Sequence, residues 1–240
     1  MSELRVNREL TQAQPLIEPE LLFSDTRRSL WVFSKPALWL SHPDGSERPD
    51  LISWARTRPE LPRELTLIHR LDLGTSGLLC CAGDAEAAAR WGAAWAEGRA
   101  HKRYLALAEG SLKRQGRISR ALKDGRRGRP LEAQTRYRRL SALKGCALIE
   151  LEITHGRKHQ IRRHLQGIGS GVVGDKRYPP PKRSPLKGAP ARLWLHASRL
   201  TLSLEDGAEL ELHAPLSSEL ISHLAQLMSP EDLASLTPAL

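Results

Sequence analysis

Ala147-Leu148-Ile149-Glu150-Leu151-Glu152-Ile153 sets Ala147, Ile149, Leu151 and Ile153 on one face, with Glu150 and Glu152 on the other. Such two-residue alternation marks a strand, whose successive side chains point to opposite sides of a sheet. Toward the N-terminus, Ala133 to Leu140 and Gly116 to Leu122 read as two more strands, separated by the basic loop KDGRRGRP at 123–130. Arg103 to Ala108, Gly77-Leu78-Leu79-Cys80-Cys81-Ala82 and Leu30-Trp31-Val32-Phe33 are further strands, too short for helices. Between them, Asp84 is placed to cap a helix over DAEAAARWGAAWAEG, with Gly98 as its stop. Pro49 to Arg56 suits a short helix with Pro in its first turn. Downstream, His159 to Leu165 predicts a short helix after a Gly156 turn. Leu193 to Leu204 and Ala208 to Ala214 predict a hairpin turning at Glu205-Asp206-Gly207, and Leu216 to Met228 a closing helix. Many strands with few helices predict an α+β domain on a largely antiparallel sheet. Residues 1–20 carry no strong periodicity and are expected to be a loose N-terminal segment. Residues 21–240 are expected to form a single domain.

The chain has 240 residues, of which 40% are apolar and 27% charged, as expected for a globular protein with a buried core. Thirty-seven Lys and Arg against 27 Asp and Glu leave a formal charge of +10. That excess favours a polyanionic partner, because each cation placed at a phosphate releases condensed counterions. The competing reading is a merely solvated basic surface. Cys80, Cys81 and Cys146 suggest no disulfide framework, and no CxxC pair exists. The first 20 residues lack the apolar core of a signal peptide, and no uncharged apolar run approaches the ~18 residues that span a bilayer. A soluble, cytoplasmic monomer without membrane attachment is expected.

Four stretches carry candidate chemistry. Ile68-His69-Arg70-Leu71-Asp72-Leu73-Gly74-Thr75-Ser76-Gly77 puts a carboxylate two residues from a guanidinium in a small-residue loop. Such a loop on a rigid sheet is a frequent home for catalytic groups, though a surface ion pair would give the same residues. His101-Lys102-Arg103-Tyr104 sets an aromatic in a basic strand, which by itself more often signals packing. Gly156-Arg157-Lys158-His159-Gln160-Ile161-Arg162-Arg163-His164-Leu165 gathers donors at a helix start, where unpaired N–H groups favour a phosphate. Val172-Val173-Gly174-Asp175-Lys176-Arg177-Tyr178 reads as a strand followed by a glycine turn.

Taken together these stretches resemble the RluA-type RNA pseudouridine synthase family. HRLD with TSG at 75–77, KRY at 102–104, GRKHQIR at 156–162, VVGD at 172–175 and LHA at 195–197 occur in that family's order and approximate spacing. Ser34-Lys35-Pro36 followed by Ser41-His42-Pro43 resembles its N-terminal Lys-Pro segment, and GRKHQIRRH is similar to the tRNA pseudouridine synthase C branch. The resemblance spans roughly residues 21–215. It implies a mixed, largely antiparallel sheet flanked by helices and loops around a central RNA-binding cleft. It implies an isomerase that converts uridine to pseudouridine in structured RNA, a tRNA or rRNA stem-loop, with no cofactor and no metal.

By motif position Asp72 is the catalytic carboxylate, either attacking C1′ or removing the 2′ proton. Arg162 is its cationic partner, and Tyr104 is the ring that stacks on the extruded uracil and a candidate to take the C5 proton. An Asp72–Arg162 pair, buried or half-buried, is therefore expected. Arg70 matches the residue that fills the vacated stack. His69, Thr75, Lys158, Gln160, Arg163, Lys176 and Arg177 are candidate substrate contacts, with Lys182, Arg183 and the 123–130 loop as further backbone contacts. The chain departs from the family where Ser170-Gly171 replaces a common His-Pro and where His155 replaces Thr. Many relatives carry an RNA-binding module ahead of the catalytic domain, and the 20 residues here are too few for one. Two other readings compete. His155, His159 and His164 invite a zinc site, but no Glu stands where a zinc protease needs one and no Cys is near. A non-catalytic RNA-folding factor on the same fold would keep the basic charge without needing Asp72.

Overall fold

The structure, a computed structural model, describes residues 17–110, 112–123, 128–154, 156–180, 186 and 188–236. Along them run β1 (Glu20–Asp25), β2 (Leu30–Lys35), α1 (Leu51–Arg56), β3 (Thr66–Leu67), β4 (Ser76–Ala82), α2 (Ala85–Ala96) and β5 (Ala100–Glu109). There follow β6 (Gln115–Ser119), β7 (Leu122–Lys123), β8 (Pro130–Leu131), β9 (Gln134–Leu143), β10 (Cys146–Ile153), α3 (Gln160–Gly167) and β11 (Gly171–Val172). The chain ends on β12 (Leu195–Ser203), β13 (Glu209–His213), α4 (Ser218–Ala225) and α5 (Pro230–Leu236).

Eleven strands form one sheet in the order β1-β2-β4-β12-β5-β10-β9-β6, with β3 beside β4, β11 beside β5 and β13 beside β12. Only the β4–β12 pairing is parallel among the described strands. The expected α+β class and largely antiparallel sheet are therefore what the chain adopts. The alternating 147–153 strand becomes β10, paired with β5 on one side and β9 on the other.

Burial on both faces explains the continuous apolar runs of β2 and β4. Leu30, Val32, Leu78 and Cys80 enter a core roofed by Trp91 and Trp95 of α2. Their neighbours Trp31, Phe33, Leu79 and Cys81 enter the larger core on the opposite face, with Leu51, Leu107, Ile149 and Leu220. Each fully buried side chain of this size contributes about 1.5–3 kcal/mol by leaving water. As expected, the Asp84 carboxylate caps α2 by accepting from the Ala87 N–H at 2.7 Å, and Gly98 follows the helix with φ +79°.

Several expectations are corrected. Gly116 to Leu122 is not one strand: the Arg120 carbonyl turns to His164 Nε2, 3.0 Å away, and the ladder breaks there into β6 and β7. Pro49 lies outside α1, whose N-cap is Asp50, accepting from the Ser53 N–H at 2.8 Å. The closing helix ends at Ala225, and Pro230 opens a second one, a position where its missing N–H costs nothing. Glu20–Asp25 is a half-exposed edge strand, whose mixed pattern gave no periodic signal. Most of the N-terminal segment, residues 1–16, lies outside the described residues.

His196 of the LHA motif fastens β12 to its surroundings, 2% exposed. Arg192 donates to Ser76 Oγ at 2.7 Å, so the Ser76 hydroxyl is free to donate to His196 Nδ1, 2.9 Å away, while Nε2–H donates to the Ala214 carbonyl at 3.0 Å. Burial holds the His196 pKa down at about 4 from 6.5; the Ala214 bond opposes this and Arg192 reinforces it. Between those values the unfolded chain binds the proton and the folded chain does not. Stability from this group is thus complete above pH 6.5 and lost as pH falls toward 4, by about 2–3 kcal/mol. Urea unfolding at pH 7 and pH 4.5 is expected to show this decline. A His196→Gln variant should lessen it, buried His69 supplying much of the remainder, and an equal decline in both proteins would exclude His196 as a source.

Candidate active site

The loop between β3 and β4 is held from three directions. Ser41 Oγ accepts from the Leu71 N–H and donates to its carbonyl, both at 3.1 Å, and the Leu38 N–H donates to the Leu73 carbonyl at 2.8 Å. The Thr75 N–H closes a turn onto the Asp72 carbonyl at 3.0 Å. Lys35, wholly buried, ties the neighbouring 36–39 turn by donating to the Pro36 and Trp39 carbonyls at 2.8 Å. Burial draws its pKa down to about 7, Arg192 adding to the effect and Asp72 opposing it. The segments around Lys35-Pro36 and Ser41-His42 thus form the bed on which Asp72 rests.

Asp72 lines a small pocket together with Thr75, Tyr104, His159 and Arg162. Arg162 of α3 donates from Nη1 to Asp72 Oδ2 at 3.0 Å, across 90 residues of sequence. The two side chains are 12% and 25% exposed, so the pair is half-buried, as the motif positions implied. On its other edge Arg162 donates from Nε and Nη2 to both oxygens of Asp175, at 2.6 and 2.9 Å. Burial opposes the charge of Arg162, but Asp175 and Asp72 outweigh it and its pKa rises. For Asp175 burial works against ionisation, yet Arg162 and the N–H groups of Tyr178 and Arg177 hold its carboxyl below the usual range.

Tyr104 is 7% exposed on β5, with its hydroxyl pKa raised chiefly by burial and further by Asp72. A phenol held protonated at neutral pH suits stacking and donation better than removal of a proton. His159 precedes α3 in the left-handed conformation, φ 54°. Its Nε2 lies 3.7 Å from Asp72 Oδ1 and its Nδ1 3.0 Å from the Tyr178 hydroxyl. Burial lowers its pKa, the nearby Asp72 charge opposing and Arg162 reinforcing the effect.

Several expected substrate contacts are occupied by the protein itself. His69 turns inward: Nε2 accepts from the Cys80 N–H at 3.1 Å and the ring stacks on Trp95 at 5.5 Å. Burial, with Lys102 adding, lowers its pKa to about 3. Gln160 spends its amide on the Gln134 carbonyl, Thr135 Oγ1 and the Arg157 N–H, at 2.8, 3.3 and 3.1 Å. Arg163 donates to the Lys123 and Lys158 carbonyls. These bonds tie all three side chains to the protein around the site, Arg163 through Nη1 alone. Thr75 lines the pocket, whereas Lys158, Lys176 and Arg177 are exposed and open to a phosphate. Arg70 is exposed at the pocket, with Nη1 2.9 Å from His42 Nε2. Lys182, Arg183 and residues 124–127 lie outside the described residues, as does His155. His164 points away from His159, to Thr135 Oγ1 and the Arg120 carbonyl. Among the described residues no cluster of three His, Cys, Asp or Glu could hold a metal ion.

The neighbours of the Asp72–Arg162 pair that the sequence did not single out for this site are Asp175, Tyr178 and His159. Gly174 was the available signal: at φ +80° a Cβ there would run into the Arg192 carbonyl, so only glycine allows the turn that delivers Asp175.

The sequence model of the family described as RNA pseudouridylate synthase matches residues 29–167. The tRNA pseudouridine synthase C of Salmonella typhimurium is 30% identical over 209 residues, 77% of this chain and 80% of that protein. The ribosomal large subunit pseudouridine synthase D of Nitrosomonas europaea is 30% identical over 242 residues, 92% of this chain and 65% of that protein. The solved structure of human RNA pseudouridylate synthase domain containing 1 superposes with a TM-score of 0.68 at 25% identity, covering 92% of this chain and 95% of that one.

Proposed function

The chain belongs to the RNA pseudouridylate synthase family, and from that premise we propose that it isomerises specific uridines of a structured tRNA or rRNA, with Asp72 as the reacting carboxylate. The observation that carries this reading is the Asp72–Arg162 pair at 3.0 Å in a pocket shared with Tyr104. The reaction breaks the C1′–N1 bond of uridine and rejoins the ribose to C5; C5 gives up its proton and N1 gains one. Atoms and electrons balance without an oxidant, reductant or energy donor.

The target base lies in a stacked stem and is extruded before it can react. Arg70, exposed beside Asp72, fits the vacated space, since a guanidinium plane stacks on bases while bonding phosphates. Tyr104 stacks on the uracil, Arg162 holds the Asp72 carboxylate in place through its Nη1 hydrogen bond, and Lys158, Lys176 and Arg177 hold phosphates. The excess of positive charge supports a polyanionic partner. A relative named for tRNA and one named for large-subunit rRNA are each 30% identical to this chain, so both RNA classes are substrates to test.

Purified protein incubated with transcribed tRNA and with transcribed rRNA is expected to yield pseudouridine at discrete sites, read by a pseudouridine-specific chemical adduct. Tight binding of both RNAs with no adduct would replace the enzyme by a folding factor on the same fold.

A further inference from the structure

The carboxylate of Asp175 is wholly enclosed, its side chain 0% exposed. Four donors converge on it: Arg162 Nε on Oδ2, and Arg162 Nη2 with the N–H groups of Arg177 and Tyr178 on Oδ1, at 2.6 to 2.9 Å. Enclosed and bonded on both oxygens, it is closed to substrate, and it lies beyond the 29–167 stretch that defines the family match.

We propose that Asp175 is the positioning residue of this site, aiming Arg162 at one oxygen of Asp72 and, through Tyr178, aiming His159 at the other. The proposal rests on the synthase reading above and names residues that reading does not use. A guanidinium has five N–H donors in a rigid fork. The side-on grip of Asp175 takes Nε and Nη2, which fixes the plane and turns Nη1 to Asp72. The Tyr178 ring lies 5.1 Å from the Arg162 guanidinium carbon, a second restraint on that plane.

Tyr178 is itself set by its N–H on Asp175, and its hydroxyl meets His159 Nδ1 at 3.0 Å. A Tyr178 hydroxyl that donates to Nδ1 leaves the His159 proton on Nε2, 3.7 Å from Asp72 Oδ1. That distance is too long for a hydrogen bond, and contacts of this kind tighten when substrate fills a site. Asp175, Arg162, His159 and Tyr178 thus surround the reacting carboxylate of Asp72 in a chain of contacts that runs through the Tyr178 backbone N–H and stays open at the 3.7 Å gap between His159 and Asp72. The left-handed backbone of His159, φ 54°, is strained, and these contacts hold it in place.

The test compares Asp175→Asn and Tyr178→Phe with wild type for kcat, RNA Kd and Tm on the same transcript. Asp175→Asn keeps an acceptor for the backbone N–H groups but turns an amide toward Arg162 Nε. Its kcat is expected to fall about 100-fold, the cost of misplacing a reacting group by about 1 Å, with RNA Kd changed by less than about twofold. Tyr178→Phe, which keeps the ring beneath Arg162, is expected to lose about tenfold in kcat alone. An Asp175→Asn protein with kcat within about threefold of wild type overturns the proposal, as does a loss shared equally by kcat and Kd. Should Asp175→Asn fail to fold, Tyr178→Phe decides, and wild-type kcat in that variant overturns the proposal. A wild-type chain that makes no pseudouridine removes the synthase reading and the positioning role with it, by a result distinct from all of these.

Discussion

Asp72→Asn is expected to abolish pseudouridine formation, lowering product by roughly ten-thousand-fold or more, while RNA binding holds or strengthens. Asparagine keeps the shape of the side chain and one oxygen for Arg162 Nη1, so the loop and its contacts to Ser41 and Leu38 stay in place. What it removes is the negative charge that the proposed reaction requires at the ribose. Removing that charge from a pocket meant for a polyanion also lifts a repulsion, so affinity should not fall. Arg162 retains its grip on Asp175, and the Asp72 arm is a quarter exposed, so stability should drop by only about 1 kcal/mol or less. Pseudouridine yield on a cognate transcript, beside a filter-binding curve, measures both quantities. Product at the wild-type rate would take Asp72 out of the chemistry.

The pairing of residues 72 and 162 was legible through the family resemblance, because both stand in short motifs that the family brings to one site. The second partner of Arg162 was not. An Asp after Gly in VVGD reads as a turn residue, and nothing in its residue type shows that the turn delivers it to a helix 13 residues upstream. The same limit explains His69, Gln160 and Arg163. Residue type reveals a donor, but whether it faces the cleft or the protein depends on what folds against it. For Gln160 that is the Gln134 carbonyl of β9, 26 residues away. The fold was legible where a pattern is local, as in β10 with its period of two and α2 with its Asp84 cap. It was obscure where pattern vanishes: β1 at the sheet edge, two-residue β3 and β11, and the break at Arg120, which a histidine of α3 imposes from outside the strand.

Arg162→Met should be costly twice over. Methionine approximates the length of the arginine stem but leaves Asp175 enclosed and without its counter-charge. Breaking a buried ion pair from one side costs about 3–5 kcal/mol. In a chain of this length that lowers Tm by roughly 6–20 °C. The Asp72 carboxylate loses its hydrogen-bonded cation in the same step, and kcat should fall about a thousand-fold. Adding Asp175→Asn separates the two losses. The double variant no longer buries an unpaired charge, yet still offers an oxygen to the N–H groups of Arg177 and Tyr178. It should therefore regain about half of the lost stability while recovering none of the activity. Thermal melts and turnover of wild type, both single variants and the double variant complete this cycle. Strictly additive stability losses would mean that residues 162 and 175 do not act as a pair, and turnover restored by the second substitution would mean that Arg162 serves the fold alone.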